Sequence, residues 1–492
     1  MTNDEPAPLF EGFWVFGLNR EGSRLSPNVR YCFQEGDPAF IKAVSEFCFP
    51  DVEDSETLHS ESFTFTLTGN EGSRVSGFAR RLTQESSAPG SSPPSSLPIC
   101  LCILTKRPWF SFFMHMLDIL QLNYDLDTFV PAFVSAAHAT PFPPPGGSFA
   151  VTPLLPILDG DVGCGGVRPA TFRLTCPEED RATGVSFEPL LSALGVAGVL
   201  RVLGALMTEQ RIIFVGARWG HVSTCAHAAL ALLYPMQWQH IFIPVLPISK
   251  LSYACAPMPF VLGVLSRHLP QLMQEPLDAV LFVDVDSGSL TGEAPAECQL
   301  PRPHRDALEV SLSKLIKQQQ RELSDNAAVA DAVLQFMVSL LGPYRTFVSR
   351  PESESTGNRG ELNADFDEKA FIEAAPPLAQ PFLHLMRSAQ LFEVFINTHI
   401  AMSPQAQLQS AFERALRRLG KADAGDRQGD RHSSFFSVQR QQAFLRGAGL
   451  TERTTAAWSS AKGLAGPQVD RAAERLWSGV ASLRPLQGTP TR

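Results

Sequence analysis

The chain is expected to be an α/β protein, on three observations. Its first 140 residues mix alternating strands with helices, among them the regular run Phe63–Thr68. Between about 187 and 303, apolar helices alternate with short β-branched runs, the pattern of a parallel or mixed sheet with helices on its faces. Beyond 303 the periodicity turns wholly helical.

In the first block, Phe10–Leu18 and Asn28–Gln34 read as strands. Asp37 is placed to cap a helix that runs to about Phe47 and is stopped by Pro50. Phe63, Phe65 and Leu67 alternate with Thr64, Thr66 and Thr68, which predicts a half-buried strand. Gly69-Asn70-Glu71-Gly72 is turn chemistry, and Arg74–Thr83 returns as the hairpin partner. The Ser/Pro-rich stretch Glu85–Pro98 reads as a disordered insertion. Ile99–Leu104 is a short apolar strand, with Cys100 and Cys102 on one face. Phe110, Phe113, Leu117 and Leu120 recur at helical spacing, and Asp127–Ala139 predicts a further helix.

Pro141–Gly147 is a Pro/Gly boundary, and 142–186 has so little periodicity that it reads as an extended connector. A buried helix over Glu188–Met207, a strand at Arg211–Val215 and an Ala-rich helix at His221–Leu233 follow. Gln239–Val245 and Leu277–Val285 are further strands. Helices are then expected at Arg305–Leu323, Asn326–Leu341, Glu368–Ala375 and Pro381–Ile400, with a charged loop at 351–365. From about 420 the chain reads as disordered, except that Val469, Ala473, Leu476 and Val480 are helically spaced within Pro467–Leu483. That segment is either a short recognition or membrane-surface helix, or marginal structure without a partner.

The net charge of −9 is unevenly spread. From Arg414 onward 14 Lys/Arg stand against 6 Asp/Glu, which leaves the preceding body strongly acidic. A basic tail suits an anionic membrane or an acidic partner, or is simply solvated. The acidic body, and a tail without interleaved aromatics, argue against nucleic acid. Nine scattered cysteines without a C-x-x-C predict reduced thiols, a cytosolic chain and no metal site. The acidic start lacks an apolar follow-on, so no signal peptide is expected. No run is expected to reach the ~20 apolar residues that a membrane span needs.

Enzyme motifs are missing: there is no G-x-S-x-G, H-E-x-x-H or G-x-x-x-x-G-K-[ST], so neither catalytic residues nor a cofactor are expected. Ser223, Cys225, His221 and His227 all fall on the Ala-rich helix, where burial is the simpler account. The most specific stretch is Tyr234–Gly263, a β-branched run punctuated by Pro235, Pro244, Pro247, Pro257 and Pro259. Proline fixes φ and removes a donor, so this segment reads as a shaped docking wall.

That stretch resembles the core signature of the DENN domain. Phe47-Cys48-Phe49-Pro50-Asp51, Phe63–Gly69 and Cys102–Phe110 are similar to the family's upstream part. Leu203–Phe214 joins the central signature, and Leu341–Arg345 with Ser388–Ile396 resembles the downstream part. The match spans about residues 10–415, and within the family it is nearest to the connecdenn group. The Gly-rich stretch 160–166 and the insertion at 85–98 depart from the family pattern, and the tail lacks adaptor-binding motifs.

The resemblance implies a bilobed, tripartite module: a longin-like lobe (1–140), a connector (141–186), an α/β core (187–303), a helical extension (304–415) and a tail (416–492). It also implies a guanine-nucleotide exchange factor without covalent chemistry. Such a chain would bind a Rab small GTPase between its lobes and be recruited from the cytoplasm to endocytic or vesicle membranes. A scaffold or effector that binds a GTPase without exchanging it is the alternative. A hydrolysis-supporting subunit, with Arg218 or the Arg80-Arg81 pair as a finger, is a third reading.

The residues expected at the GTPase are Arg218, Trp219 and His221, in the turn after the strand at 211–215, and Trp238, Gln239 and His240 at the platform's edge. Asp284 and Asp286 complete the set. At Trp238 a core aromatic, at His240 a structural histidine, and at the two aspartates an Asx turn remain open alternatives.

Overall fold

The computed structural model describes residues 8–22, 24–52, 59–69, 73–83, 97–156, 167–177, 184–292, 298–318, 326–349 and 365–425. The expected turn at 70–72, most of the insertion, the Gly-rich stretch, the loop at 351–364 and everything beyond 425, including Pro467–Leu483, lie outside them.

The first lobe contains β1 (Gly12–Glu21), β2 (Arg24–Cys32), α1 (Pro38–Cys48), β3 (Glu61–Thr68), β4 (Arg74–Leu82), β5 (Ile99–Thr105), α2 (Phe110–Leu122) and α3 (Phe129–Ala139). Its sheet is antiparallel in the order β2-β1-β5-β4-β3. The Asp37 carboxylate caps α1, accepting from the Ala39 amide at 3.0 Å. Strand alternation divides the core: Phe13, Val15, Leu101 and Ile103 pack with α2 and α3. Trp14, Phe16, Cys100 and Cys102 pack with α1 on the other face.

That second face also receives Trp219, Val245 and Leu265 from the second lobe. β3 is therefore not half-buried as its alternation suggests. Thr64 and Thr66 are only 3% and 4% exposed, because helix α5 (Trp219–Ala231) lies against the strand.

The stretch after residue 142 is likewise more ordered than a connector. Strands β6 (Ser148–Val151), β7 (Leu154–Pro156), β8 (Val167–Pro169) and β9 (Phe172–Thr175) form a nested ribbon, β6 with β9 and β7 with β8, all antiparallel. Strands of three or four residues are too short to show a period. Phe149 and Leu174 anchor the ribbon in the α2–α3 core.

The second lobe is built from α4 (Glu188–Met207), β10 (Ile212–Gly216), α5, β11 (Ile241–Ile243), β12 (Phe260–Leu265), α6 (Leu269–Leu272), β13 (Leu281–Asp284) and β14 (Leu290–Gly292). The sheet order is β11-β12-β10-β13-β14, parallel except for β14. Ile212 and Phe214 join the core under α4 and α5, while Ile213 and Val215 join the opposite core with Phe260 and Leu262. The later part of the proline-rich signature is thus a core element, while residues 234–239 line an open surface as the docking-wall reading expects. Phe260 and Leu262 are fully buried, and a Cβ at Gly263 would sit 2.0 Å from the Pro244 carbonyl oxygen.

The helical extension comprises α7 (Arg302–Gln318), α8 (Asn326–Leu341), the short pair β15 (Val348–Ser349) and β16 (Asp365–Phe366), then α9 (Glu368–Ala374), α10 (Gln380–Met386), α11 (Gln390–Ala401), α12 (Pro404–Gln409) and α13 (Ala411–Gly425). The single helix expected over Pro381–Ile400 is broken at Arg387–Ala389. Its second half begins on the Glu209 carboxylate, which accepts from the amides of Gln390 (2.9 Å) and Leu391 (2.8 Å). The stretch 416–425, assigned above to the tail, continues α13.

Two segments, Glu188–Met207 and Asn326–Phe347, are long and apolar enough to cross a membrane, contrary to the reading that no run reaches that length. Both contribute to the interior: Leu203, Leu206, Met337 and Leu341 are at most 1% exposed.

Candidate functional site

Polar contacts join the two lobes. The fully buried Arg81 donates to Asp51 at 2.5 Å and also to Glu61. Burial opposes its charge, but the two carboxylates outweigh that and raise its pKa. From the second lobe Arg267 donates to Asp51 at 2.7 Å, and the Gly220 amide donates to Glu61 at 3.2 Å. The Thr64 amide donates to Ser223 Oγ at 3.3 Å, and Lys250 pairs with Glu46 at 3.0 Å.

Beside this seam lies an open cleft of ≈ 1080 Å³. One wall is β3–β4 with Thr66 and Arg74; the other is the end of α5 and the loop 234–239, continued by α11 and α12. Arg74 donates to the carbonyls of Trp238 (2.5 Å) and His240 (3.0 Å), so one side chain bridges the lobes at the cleft. Its burial pulls its pKa down to about 10. His227 packs edge-to-face with Phe110 and Phe242, ring centres 4.8 Å and 4.9 Å from its own. Burial pushes its pKa down to about 3, so the ring is neutral at physiological pH.

The expected contact residues do not form one patch. Trp238 and Gln239 line the cleft. Trp238 itself is buried at 3% exposure, donating from Nε1 to the Ile241 carbonyl at 3.1 Å, so it shapes the wall from behind. His240 Nε2 lies 2.9 Å from Glu209, a structural pairing at the helical extension.

Arg218, His221, Asp284 and Asp286 gather instead at the C-terminal ends of β10 and β13, at the other end of α5, ~15 Å away at 1.5 Å per residue. There His221 Nδ1 meets Asp286 at 3.2 Å, and Asp286 accepts from the Ala217 amide at 2.6 Å. Asp284 accepts from the amides of Asp286 (2.9 Å) and Ser287 (3.0 Å), an Asx turn. Arg218 donates to the Ser60 carbonyl at 3.2 Å. Trp219 is corrected: it is fully buried in the interlobe core and offers no surface.

Sequence reasoning missed Arg74, Thr66 and His227 at the cleft. No local pattern joins Arg74 to a carbonyl 164 residues away. Among the described residues no group of three His, Cys, Asp or Glu side chains is placed to hold a metal ion.

A two-lobed α/β module with an antiparallel first sheet, a parallel second sheet, a helical extension and a cleft at the lobe boundary defines the class. Family models agree with it: the DENN (AEX-3) domain matches residues 96–288 and the uDENN domain residues 27–82. Human DENN domain-containing protein 2B is 33% identical over 414 residues, covering 79% of this chain and 34% of that protein. Mouse DENN domain-containing protein 2C is 32% identical over 410 residues, covering 79% and 42%. Human DENN domain-containing protein 2D is 30% identical over 406 residues, covering 79% and 81%. The chain belongs to the DENN family. It spans about a third of the length of protein 2B and most of protein 2D.

Proposed function

We propose that the chain is a guanine-nucleotide exchange factor that takes a Rab GTPase into the cleft between its lobes. The observation that carries this reading is the cleft itself, on a DENN module and walled by both lobes. Exchange needs no covalent step. The factor binds best the GTPase state whose nucleotide-binding loops are displaced, so binding energy becomes faster GDP release. By linkage, rebinding of nucleotide weakens the hold on the factor. A rigid cleft suits this role, because both walls must keep their spacing while the GTPase deforms. The seam of Arg81, Asp51 and Arg267 supplies that rigidity.

The chain acts on this reading as a cytoplasmic factor recruited to endocytic or vesicle membranes. Its basic C-terminal segment meets anionic lipid or an acidic partner.

The test is release of fluorescent GDP from a panel of Rabs by the full chain. Acceleration of one or two of them, lost when cleft side chains are changed in a still-folded protein, supports exchange. Binding without acceleration, preferring the GTP-loaded form, points to the scaffold or effector reading instead.

A further inference from the structure

The cleft has a one-sided charge. Of the described residues that line it, Arg74, Lys106 and Arg414 are cationic and none is Asp or Glu, in a chain whose net charge is −9. Lys106 is 66% exposed and has only a 3.8 Å approach from Glu11 to offset it. Arg74 is the more telling cation, because the hydrogen-bond partners of its guanidinium are the carbonyl oxygens of Trp238 and His240. A carbonyl satisfies a donor but does not neutralise a charge, and a cation drawn out of water without a counter-charge is costly.

Two further polar groups on the same cleft have no hydrogen-bond partner: Thr66 Oγ1 and His227 Nε2, in residues 4% and 8% exposed. Buried polar atoms of this kind are normally paired. Those two atoms sit behind the cleft surface, so the uncompensated charge of Arg74 is the feature that something entering the cleft would complete. The volume, ≈ 1080 Å³, exceeds the ~300–1,000 Å³ of ordinary small-molecule pockets, which favours a length of polypeptide.

We infer that the cleft receives an acidic segment of the bound GTPase, with a carboxylate set against Arg74 and further acidic side chains towards Lys106. The inference rests on the exchange-factor reading for the identity of the partner and adds the chemistry by which the partner is held. The carboxylate supplies the missing counter-charge at Arg74. Neutral His227 adds no charge that would compete with Arg74.

The experiment measures the affinity of the full chain for each nucleotide-free Rab in the panel at low and moderate salt, alongside GDP release. Arg74→Met is expected to weaken binding about tenfold or more, and Lys106→Glu about threefold. The dependence on salt is expected to become shallower in both variants. Lys106 is exposed, so Lys106→Glu keeps the inference testable should Arg74→Met fail to fold. Binding with full salt dependence and no response to either substitution overturns the acidic-segment assignment while leaving exchange intact. Binding that responds as expected, without any acceleration of GDP release, overturns exchange while supporting the assignment. If inorganic phosphate raises the melting temperature of the wild-type chain but not of Arg74→Met, while Rab binding ignores both substitutions, the site belongs to a small anion and the assignment falls. Failure of every Rab to bind overturns both.

Discussion

Arg267 of the second lobe reaches Asp51 of the first at 2.7 Å, and the same carboxylate holds the fully buried Arg81 at 2.5 Å. One side chain with about 1% exposure therefore ties a strand of the first sheet to the 3₁₀ turn Ser266–His268 after β12. A buried ion pair adds little over a well-packed apolar substitute, but removing one member strands the other. Asp51→Ala is expected to destabilise the chain by about 3 kcal/mol, read as a lowered midpoint of urea unfolding. A change within about 0.5 kcal/mol would show that Glu61 alone satisfies Arg81.

Gly220 lies where α5 meets β3. A Cβ there would sit 2.6 Å from the Ser62 carbonyl oxygen, so the helix would have to withdraw from the strand. Gly220→Ala is expected to cost about 1–3 kcal/mol, although alanine is the better helix former. A stabilised variant in thermal unfolding would mean that the lobes can part at this point without loss.

His227 gives stability a pH dependence with a definite sign. Its pKa falls from 6.5 to about 3 on folding, so the unfolded chain binds the proton more readily. The contribution is complete above about pH 6.5 and is lost as pH falls towards 3, amounting to about 2 kcal/mol between pH 6.5 and about pH 5. His227→Gln should flatten the fall of the urea midpoint over that interval. Burial also lowers the pKa values of His304 and His399, so some slope remains. An unchanged slope in the variant would place the titration elsewhere.

The Leu341–Arg345 motif holds α13. The Tyr344 hydroxyl donates to Glu413 at 2.8 Å, and Arg345 also donates to this fully buried carboxylate. Burial is the main cause of a raised Tyr344 pKa. Tyr344→Phe removes one of the donors from a carboxylate that water does not reach, and about 1–3 kcal/mol is expected to be lost in thermal unfolding. Fraying of α13 under hydrogen exchange should accompany it.

Much of the architecture is local and was readable as such. Asp37 caps α1 through an amide two residues away. Cys100 and Cys102 share a face of β5 because side chains alternate along a strand. The DENN resemblance rested on contiguous residues, and the family comparisons bear it out.

What local pattern could not express is where a surface ends. The Thr64–Thr66 side of β3 reads as solvent-facing, since threonine suits either environment; only the approach of α5 buries it. Trp219 follows a strand in a turn that usually faces ligand, yet the first lobe closes over it. The break at Arg387–Ala389 depends on Glu209, some 180 residues earlier in the chain, supplying a carboxylate to two free amides. Arg74, Thr66 and His227 meet at the cleft through long-range packing alone. Local pattern was enough for most of the longer elements, their order and the family, because capping, alternation and turn chemistry act over a few residues; the short strands of the 148–175 ribbon carried no period to read. Tertiary structure decided which faces are exposed and which side chains form the site, because burial and charge pairing are set by neighbours distant in the chain.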